Sequence, residues 1–427
     1  MRGSVPLVEE AQKAARLLRE HAFVRILARS EDADAACAAA LLAHAMRREG
    51  IDLHVTWALR LDAAAADLLA EEKNEALVLL GLGGDAVERE PMAGRKLVID
   101  RDEDTLPGEA IVHDDAALSS LASMVAVALS PRNLDLAPLA LAGVVASRRH
   151  ILGWMGLDAR ILEEAASSGV VLHATALNLR GGTLLTALSA LDAPCITGLT
   201  GRARSAKKLV TDMQLTGEAP PDSLNASDAE RLGSHLTLRL LQQGAPDAAL
   251  DALFRPKLAA LKGPHTGYDA SELALLAEAA AATGRSGLAL AALWPDEAAS
   301  GELSETANVV RDDLVATLLK AERELHHEGA LAWADAPSAL LCASLADRLA
   351  LALVPEGKLV LARAPIDGGL VRVALRSFAP TRDVATLARD AARTCGGWAT
   401  GTRREARATV PLAEEERFRK LLTEGYA

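Results

Sequence analysis

Residues 23–50 read FVRILARSEDADAACAAALLAHAMRREG, and this stretch decides the fold. Its first residues are apolar and closely spaced, which predicts a buried strand. Its second half is rich in alanine and leucine and ends at Gly50, which predicts a helix that a glycine terminates. A strand followed at once by a helix is the unit from which α/β sheets are built.

Three acidic residues, Glu31, Asp32 and Asp34, lie between this strand and this helix. Open α/β sheets bind their ligands at the carboxyl ends of the strands. Carboxylates placed there can hold a hard divalent cation, so the residues predict a metal or phosphate site. The alternative is structural, because Ser30 and the acidic residues can also cap the helix without binding any ligand.

The composition limits the class of protein. A chain of 427 residues is long enough for two or three domains. Half of the residues are hydrophobic but only 3% are aromatic, so we expect many tightly packed helices. The net charge of -12 argues against broad, sequence-independent nucleic-acid binding, although it is compatible with a local basic groove. An acidic surface also suits a component of a protein assembly.

The sequence predicts a cytoplasmic protein. No apolar run reaches the roughly 18 residues that a membrane-spanning helix requires. The first residues are amphipathic and include acids, which is not typical of a signal peptide. The four cysteines are scattered along the chain, which favours reduced packing residues over a zinc site or a disulfide framework.

The order of predicted elements indicates an α/β fold. Strands are predicted at 24–28, 53–58, 76–80, 96–100 and 110–113, and helical patterns such as 63–72 separate them. This alternation predicts a mostly parallel sheet with helices on both faces. We predict a first domain at 1–203, a linker and helical connecting region at 204–265, and a helical lead-in with a smaller C-terminal α/β domain at 266–427. The composition break at 217–223 reads as an exposed linker.

A third strand-end carboxylate is Asp100, which closes the predicted strand 96–100. Together with Asp32 and Asp34 it could coordinate a single divalent ion. Hydrolysis by two metals needs further ligands that bridge the ions. The predicted strand 76–80 is followed only by glycines such as Gly81, and the turn in the helical region offers only Ser147 and basic residues, so the supply of ligands is short.

Two basic clusters could contact phosphate groups. The first contains Arg202 and Arg204, and the second contains Arg376 and Arg403. The alternative for each residue is an ordinary solvated charge. The stretch 322–329, which contains two adjacent histidines, reads as a solvated helix face.

The strand ends follow a recognisable order of motifs. Residues 29–36 read RSEDADAA, residues 81–84 read GLGG, residues 100–102 read DRD, and 142–147 read AGVVAS. In this order they resemble the DHH phosphoesterase superfamily, in particular the archaeal RecJ-like nucleases. The eukaryotic replicative-helicase cofactor that travels with GINS and MCM looks like a relative of that group.

The resemblance implies that most of the metal site has been lost. Active members carry histidine or aspartate at positions that hold other residues here: Ser30, Gly81, Arg101, Asp102 and Ser147. Asp32, Asp34 and Asp100 remain. Arg101 places a cation beside them, and its charge can hold the fold together without a metal.

The resemblance extends to the C-terminal domain, which normally closes with a glycine-rich loop and a histidine that grip nucleic acid. Gly401 keeps the glycine, and Thr402 replaces the histidine. The expected nucleic-acid-binding residues are Gly401 and Thr402, by resemblance, together with Arg202, Arg204, Arg376 and Arg403 of the two basic clusters.

The resemblance implies a catalytically degenerate RecJ-like protein. We expect a DNA-replication scaffold that binds GINS and the MCM helicase, contacts single-stranded DNA, and has no cofactor and no membrane partner. The alternative is a weakened exonuclease or phosphoesterase that uses Mn²⁺ or Mg²⁺ held by Asp32, Asp34 and Asp100. A ligand sensor that binds nucleotides without cleaving them is a third reading.

Overall fold

The structure is a computed structural model that describes residues 4–61, 76–82, 96–101, 109–113, 115–378 and 380–426. The predicted helix at 63–72 lies outside the described residues. The strands are β1 (Phe23–Arg29), β2 (Asp52–Ala58), β3 (Ala76–Leu80), β4 (Lys96–Asp100), β5 (Glu109–Val112), β6 (Val171–Leu177), β7 (Phe254–Ala260), β8 (His326–Glu328), β9 (Leu331–Asp335), β10 (Leu359–Ile366), β11 (Leu370–Arg376), β12 (Trp398–Thr402) and β13 (Glu405–Pro411). The helices are α1 (Ser4–Arg19), α2 (Ala33–Arg48), α3 (Leu118–Leu129), α4 (Ala137–Ala146), α5 (Gly156–Ser167), α6 (Leu184–Ser189), α7 (Ala203–Asp212), α8 (Ala226–Gln242), α9 (Asp247–Ala252), α10 (Ala270–Ala282), α11 (Ser286–Ala292), α12 (Glu297–Glu324), α13 (Cys342–Ala352), α14 (Val384–Thr394) and α15 (Glu415–Tyr426).

The chain forms two compact units, and each unit is built from two separate stretches. Unit 1 contains Met1–Ala174 and Pro256–Ala307, and unit 2 contains Thr175–Arg255 and Asn308–Ala427. The segment 217–223 lies within unit 2, where the N–H of Leu185 donates to the carbonyl of Gly217. The domain boundaries predicted from the sequence stay predictions.

Unit 1 is organised on a parallel sheet. Among the described residues this sheet has five strands in the order β2-β1-β3-β4-β5. Ala28 of β1 is in register with Leu80 of β3, and Leu80 is in register with Ile99 of β4. The chain segments that follow β1, β3 and β4 therefore begin at the same edge of the sheet. The predicted α/β fold class is confirmed.

The sequence explains why this sheet is covered on both faces. All five residues of β4 are buried, including those at both ends. A continuous buried run, rather than an alternating one, is typical of a parallel strand between two layers. Helix α2 is buried along most of its length, and its alanines let α3 and α4 pack closely against it.

Unit 2 contains the smaller α/β structure expected at the C-terminus. In the described part of the chain its mixed sheet has six strands in the order β12-β13-β11-β10-β9-β8. Helices α14 and α15 cover one face, and Phe418 and Leu422 of α15 are fully buried there. Helices α6 to α9 supply most of a separate apolar cluster in the same unit.

One local prediction is wrong. The stretch around the adjacent histidines was predicted as a helix face, but His326 to Glu328 form β8, which pairs antiparallel with β9. The imidazole of His326 stacks on Trp333, with ring centroids 4.0 Å apart. Across the described ranges, no helix has both the length and the apolar content needed to cross a bilayer.

Gly143 sets how closely α4 approaches α2 and α3. A Cβ atom at this position would clash with the carboxylate of Asp34 and the side chain of Ser119. Both neighbours are fully buried, so neither can move into solvent. The glycine is therefore required by packing.

Gly143→Ala should lower the free energy of unfolding by about 1–3 kcal/mol, because the added methyl group overpacks a fully buried contact. Urea unfolding followed by circular dichroism measures this change. The matched control is Gly301→Ala in α12, where a Cβ would meet no described atom within 4 Å. The control should be neutral or more stable by up to about 1 kcal/mol, since alanine favours a helix over glycine. Equal stabilities of the two variants would contradict this account of the packing.

Candidate functional site

Asp32 lies where the chain turns from β1 into α2. It is the N-cap of α2, and its Oδ1 accepts the N–H groups of Asp34 at 3.0 Å and of Ala35 at 3.3 Å. The preceding Glu31 has a φ of 60°, which produces the sharp turn after the strand. The capping role considered from the sequence is thus present, and it occupies one oxygen of this carboxylate.

Asp34 is fully buried in the first turn of α2. Its Oδ2 accepts the N–H of Leu118 at 2.8 Å, and its Oδ1 accepts the N–H of Ser119 at 3.0 Å. These amides begin α3, where the helix dipole favours a negative charge. Burial raises the pKa of Asp34, while the charge of Arg101 and the hydrogen bonds from Ser119 act in the opposite direction.

Arg101 joins the acidic residues to one another. Its guanidinium lies 2.8 Å from Oδ2 of Asp32 and 3.5 Å from Oδ2 of Asp34. Its backbone N–H donates to Oδ1 of Asp100 at 2.6 Å. The side chain of Arg101 is 10% exposed, so a nearly buried cation lies between the two aspartates that follow β1.

Gly81, the residue after β3, is a position where the sequence resemblance leads us to expect a metal ligand in active proteins. Its φ is 68°, a conformation that is strained for an aspartate. Its carbonyl accepts a hydrogen bond from Nε of Arg29 at 2.6 Å, and the same arginine donates to the carbonyl of Leu59. Arg29 was not among the predicted site residues. The sequence signal that could have identified Arg29 was a charged residue at the end of a mostly apolar strand.

Ser30 and Ser147, two other positions that the sequence resemblance singled out, make hydrogen bonds to backbone carbonyl groups. The N–H of Ser30 donates to the carbonyl of Ala58 at 2.8 Å, which continues the pairing of β1 with β2. Ser147 ends α4, and its hydroxyl donates to the carbonyl of Gly143 at 2.8 Å. Asp102 lies outside the described residues.

The described carboxylates do not fit a divalent metal in this arrangement. Ca²⁺ and Mg²⁺ require about six or more oxygen ligands at short distances. Here Asp32 and Asp34 each accept two backbone N–H groups, and both face the guanidinium of Arg101. Within the described ranges, no group of three or more His, Cys, Asp or Glu side chains is arranged to hold a metal ion.

The first predicted nucleic-acid cluster lies at α7 in unit 2. Arg202 is the N-cap residue, and its side chain is 46% exposed and paired with Glu322 at 2.8 Å. Arg204, Lys207 and Lys208 are exposed along α7. Positions three and four residues apart share one face of a helix, so these three side chains form a basic face.

Arg376, in the second predicted cluster, is only 4% exposed. Its guanidinium pairs with Glu405 at 2.7 Å and with Asp347 at 3.2 Å, and it lies over the ring of Phe378. A phosphate could reach it directly only if these ion pairs opened. The described contacts give Arg376 a structural role in the sheet.

Gly401 and Thr402 end β12, and Arg403 begins the turn to β13. A Cβ on Gly401 would clash with the carbonyl of Glu405, so strand pairing alone requires this glycine. The hydroxyl of Thr402 accepts the N–H of Arg404 at 3.4 Å. Arg403 is exposed, so this cluster offers a cation at the turn.

Comparison with known proteins identifies the fold through solved structures. No family model and no curated protein matches the sequence. CDC45 from Entamoeba histolytica matches with a TM-score of 0.65 and 10% identity, over 98% of this chain and 99% of that one. RecJ in complex with Mn²⁺ from Thermus thermophilus matches with a TM-score of 0.57 and 16% identity, over 98% of this chain and 54% of RecJ.

A third structure, the DHH domain of a member of a family of ribosomal proteins, has a TM-score of 0.54 and 12% identity. This match covers 98% of the chain and 90% of the domain. The three structures align with nearly the whole chain, although the chain spans only about half the length of RecJ. The chain therefore has the DHH-type fold that the RecJ and CDC45 structures share.

Proposed function

We propose that this chain is a catalytically inactive RecJ-like protein that acts as a scaffold in DNA replication. The observation that carries the proposal is the guanidinium of Arg101, which lies between Asp32 and Asp34 at the carboxyl edge of the sheet. A positive side chain in this position competes with any metal for the same oxygens. The fold of a nuclease is thus combined with a site that suits a buried ion pair.

Metal-dependent hydrolysis of a phosphodiester depends on an ion that activates water and neutralises the charge that develops. The described residues offer no such position, because internal donors already engage Asp32 and Asp34. Gly81 and Ser147 add no negative charge at the neighbouring chain segments. The proposed protein therefore works without a metal cofactor.

The scaffold role is supported by what the chain retains. Its fold matches that of CDC45 over 98% of this chain and 99% of that one. A protein that binds partners through its surface needs its whole fold even when it no longer catalyses a reaction. By the resemblance to the archaeal RecJ-like group, we propose GINS and the MCM helicase as partners, in the cytoplasm.

Single-stranded DNA is the proposed nucleic-acid ligand. The basic face of α7, formed by Arg204, Lys207 and Lys208, can follow a phosphate backbone although the whole chain is acidic. Arg403 adds an exposed cation in the same unit. Arg376 supports the sheet through its ion pairs and has no direct contact with DNA in this proposal.

The first test is assembly with purified GINS and MCM from the same organism. The chain should co-elute with one or both on size exclusion, and Asp34→Asn should not abolish this co-elution if the variant remains folded, because binding depends on surfaces. Elution of the chain alone at micromolar concentrations of all components would contradict the scaffold proposal.

The same preparation tests the alternative function. Incubation with Mn²⁺ and 5′-labelled single-stranded DNA should release no nucleotide above the level of the Asp34→Asn variant. Release that depends on Asp34 would show the weakened exonuclease considered from the sequence, and it would overturn the claim that the site is inactive.

The second test concerns α7. Reversal of two charges, Arg204→Glu with Lys208→Glu, should weaken binding of single-stranded DNA at least about tenfold. If each residue contacts one phosphate, the slope of log affinity against log salt should fall in magnitude by about 1.4. Fluorescence anisotropy of a labelled oligonucleotide over a range of salt concentrations measures both quantities.

The control for this test is Lys420→Glu in α15, a side chain that is 75% exposed in the same unit. It changes the net charge of the protein without touching α7. If the control and the α7 variant bind DNA with equal affinity, the effect comes from overall charge and the proposed DNA face is wrong.

A further inference from the structure

Three carboxylates lie close to the end of the parallel sheet and are nearly buried. The exposed fractions are 6% for Asp32, 0% for Asp34 and 5% for Asp100. An ionised carboxylate is costly to bury unless a partner compensates its charge. A nearby cation would offset part of this cost, in addition to the backbone N–H groups that donate to Asp32 and Asp34.

The RecJ structure that shares this fold was determined in complex with Mn²⁺. In this chain the described carboxylates do not fit a metal, and the nearby cation is a side chain. The two terminal nitrogens of Arg101 point to different acceptors, Nη2 to Asp32 and Nη1 to Asp34. One guanidinium thus spans the two Oδ2 atoms.

We propose that Arg101 takes over the structural role of a metal, so that its guanidinium is the cation on which the folding of unit 1 depends. This inference rests on the proposed loss of catalysis and adds the reason why the fold survives that loss. An internal cation cannot dissociate, so the stability of the protein becomes independent of metal supply.

The carboxylates are positioned by groups other than Arg101. Backbone N–H groups at the start of α2 hold Asp32, and those of Leu118 and Ser119 hold Asp34. These donors remain when the arginine side chain is removed. The two Oδ2 atoms would then face a space that water and a divalent ion can enter, and Mn²⁺ accepts carboxylate and water ligands.

The experiment is thermal unfolding of Arg101→Ala with and without Mn²⁺. The variant should unfold at a lower temperature than the wild type in metal-free buffer. Saturating Mn²⁺ should raise its unfolding midpoint by about 5–10 °C, the shift that a ligand at about 100 times its Kd gives a unit of this size. The wild type should show no Mn²⁺-dependent shift.

Two controls identify the site. Arg149→Ala removes an arginine that pairs with the buried carboxylate of Asp158. This variant should be less stable than the wild type, and Mn²⁺ should not restore its stability. Arg101→Ala combined with Asp34→Asn should lose the recovery. If Arg101→Ala does not fold in metal-free buffer, titration of Mn²⁺ into the unfolded variant should restore the native circular dichroism spectrum.

The outcomes separate this inference from the proposed function. Arg101 is not a substitute for the metal if Mn²⁺ neither raises the unfolding midpoint of Arg101→Ala nor restores its native spectrum. The same conclusion follows if Mn²⁺ stabilises Arg149→Ala equally. The scaffold proposal is unaffected by either result. If Mn²⁺ stabilises the wild type and this effect requires Asp34, the site binds metal despite Arg101, and the claim of an inactive site also fails.

Discussion

The ion pairs of Arg101 with Asp32 and Asp34 are the constraint on which unit 1 depends. A parallel sheet brings the ends of β1, β3 and β4 to one edge, where the first backbone N–H groups of α2 and α3 donate to Asp32 and Asp34. This geometry favours negative charge, since free N–H groups accumulate there. Arg101, the residue after β4, adds a positive charge that pairs with both aspartates.

The same geometry connects packing with function. Gly143 lets α4 approach the carboxylate of Asp34, and the first amides of α3 hold that carboxylate in place. These contacts stabilise the fold and do not depend on a catalytic reaction. The carbonyl of Gly81 accepts a hydrogen bond from Arg29, and the hydroxyl of Ser147 donates to the carbonyl of Gly143.

Much of the fold could be predicted from the sequence pattern, because β3 and the centre of β4 are continuous apolar runs and strands alternate with helical patterns, which favours a parallel sheet. The strand at His326 to Glu328 could not be predicted. Its polar residues resemble a helix face, and only pairing with β9 and stacking on Trp333 make it a strand. The paired residues are only three to seven positions apart, but the polar residue types of this stretch do not indicate the pairing.

The candidate site was predictable in its residue types but only partly in its contacts. The position of Arg101 next to Asp100 was visible in the sequence, whereas the hydrogen bond from Arg29 to Gly81 requires a known register between β1 and β3. The sequence predicts that Arg376 contacts phosphate, but in the structure this residue is buried and forms ion pairs with Glu405 and Asp347. Burial and pairing depend on tertiary structure, which composition and spacing do not specify.

The central claim is tested most directly by the coupling free energy between Asp32 and Arg101. Asp32→Asn and Arg101→Gln, singly and combined, form a double-mutant cycle, and asparagine retains the helix cap, so that the cycle isolates the ion pair. The account predicts a favourable coupling of about 1–3 kcal/mol in the free energy of unfolding. Additive effects, with a coupling below about 0.3 kcal/mol, would contradict it.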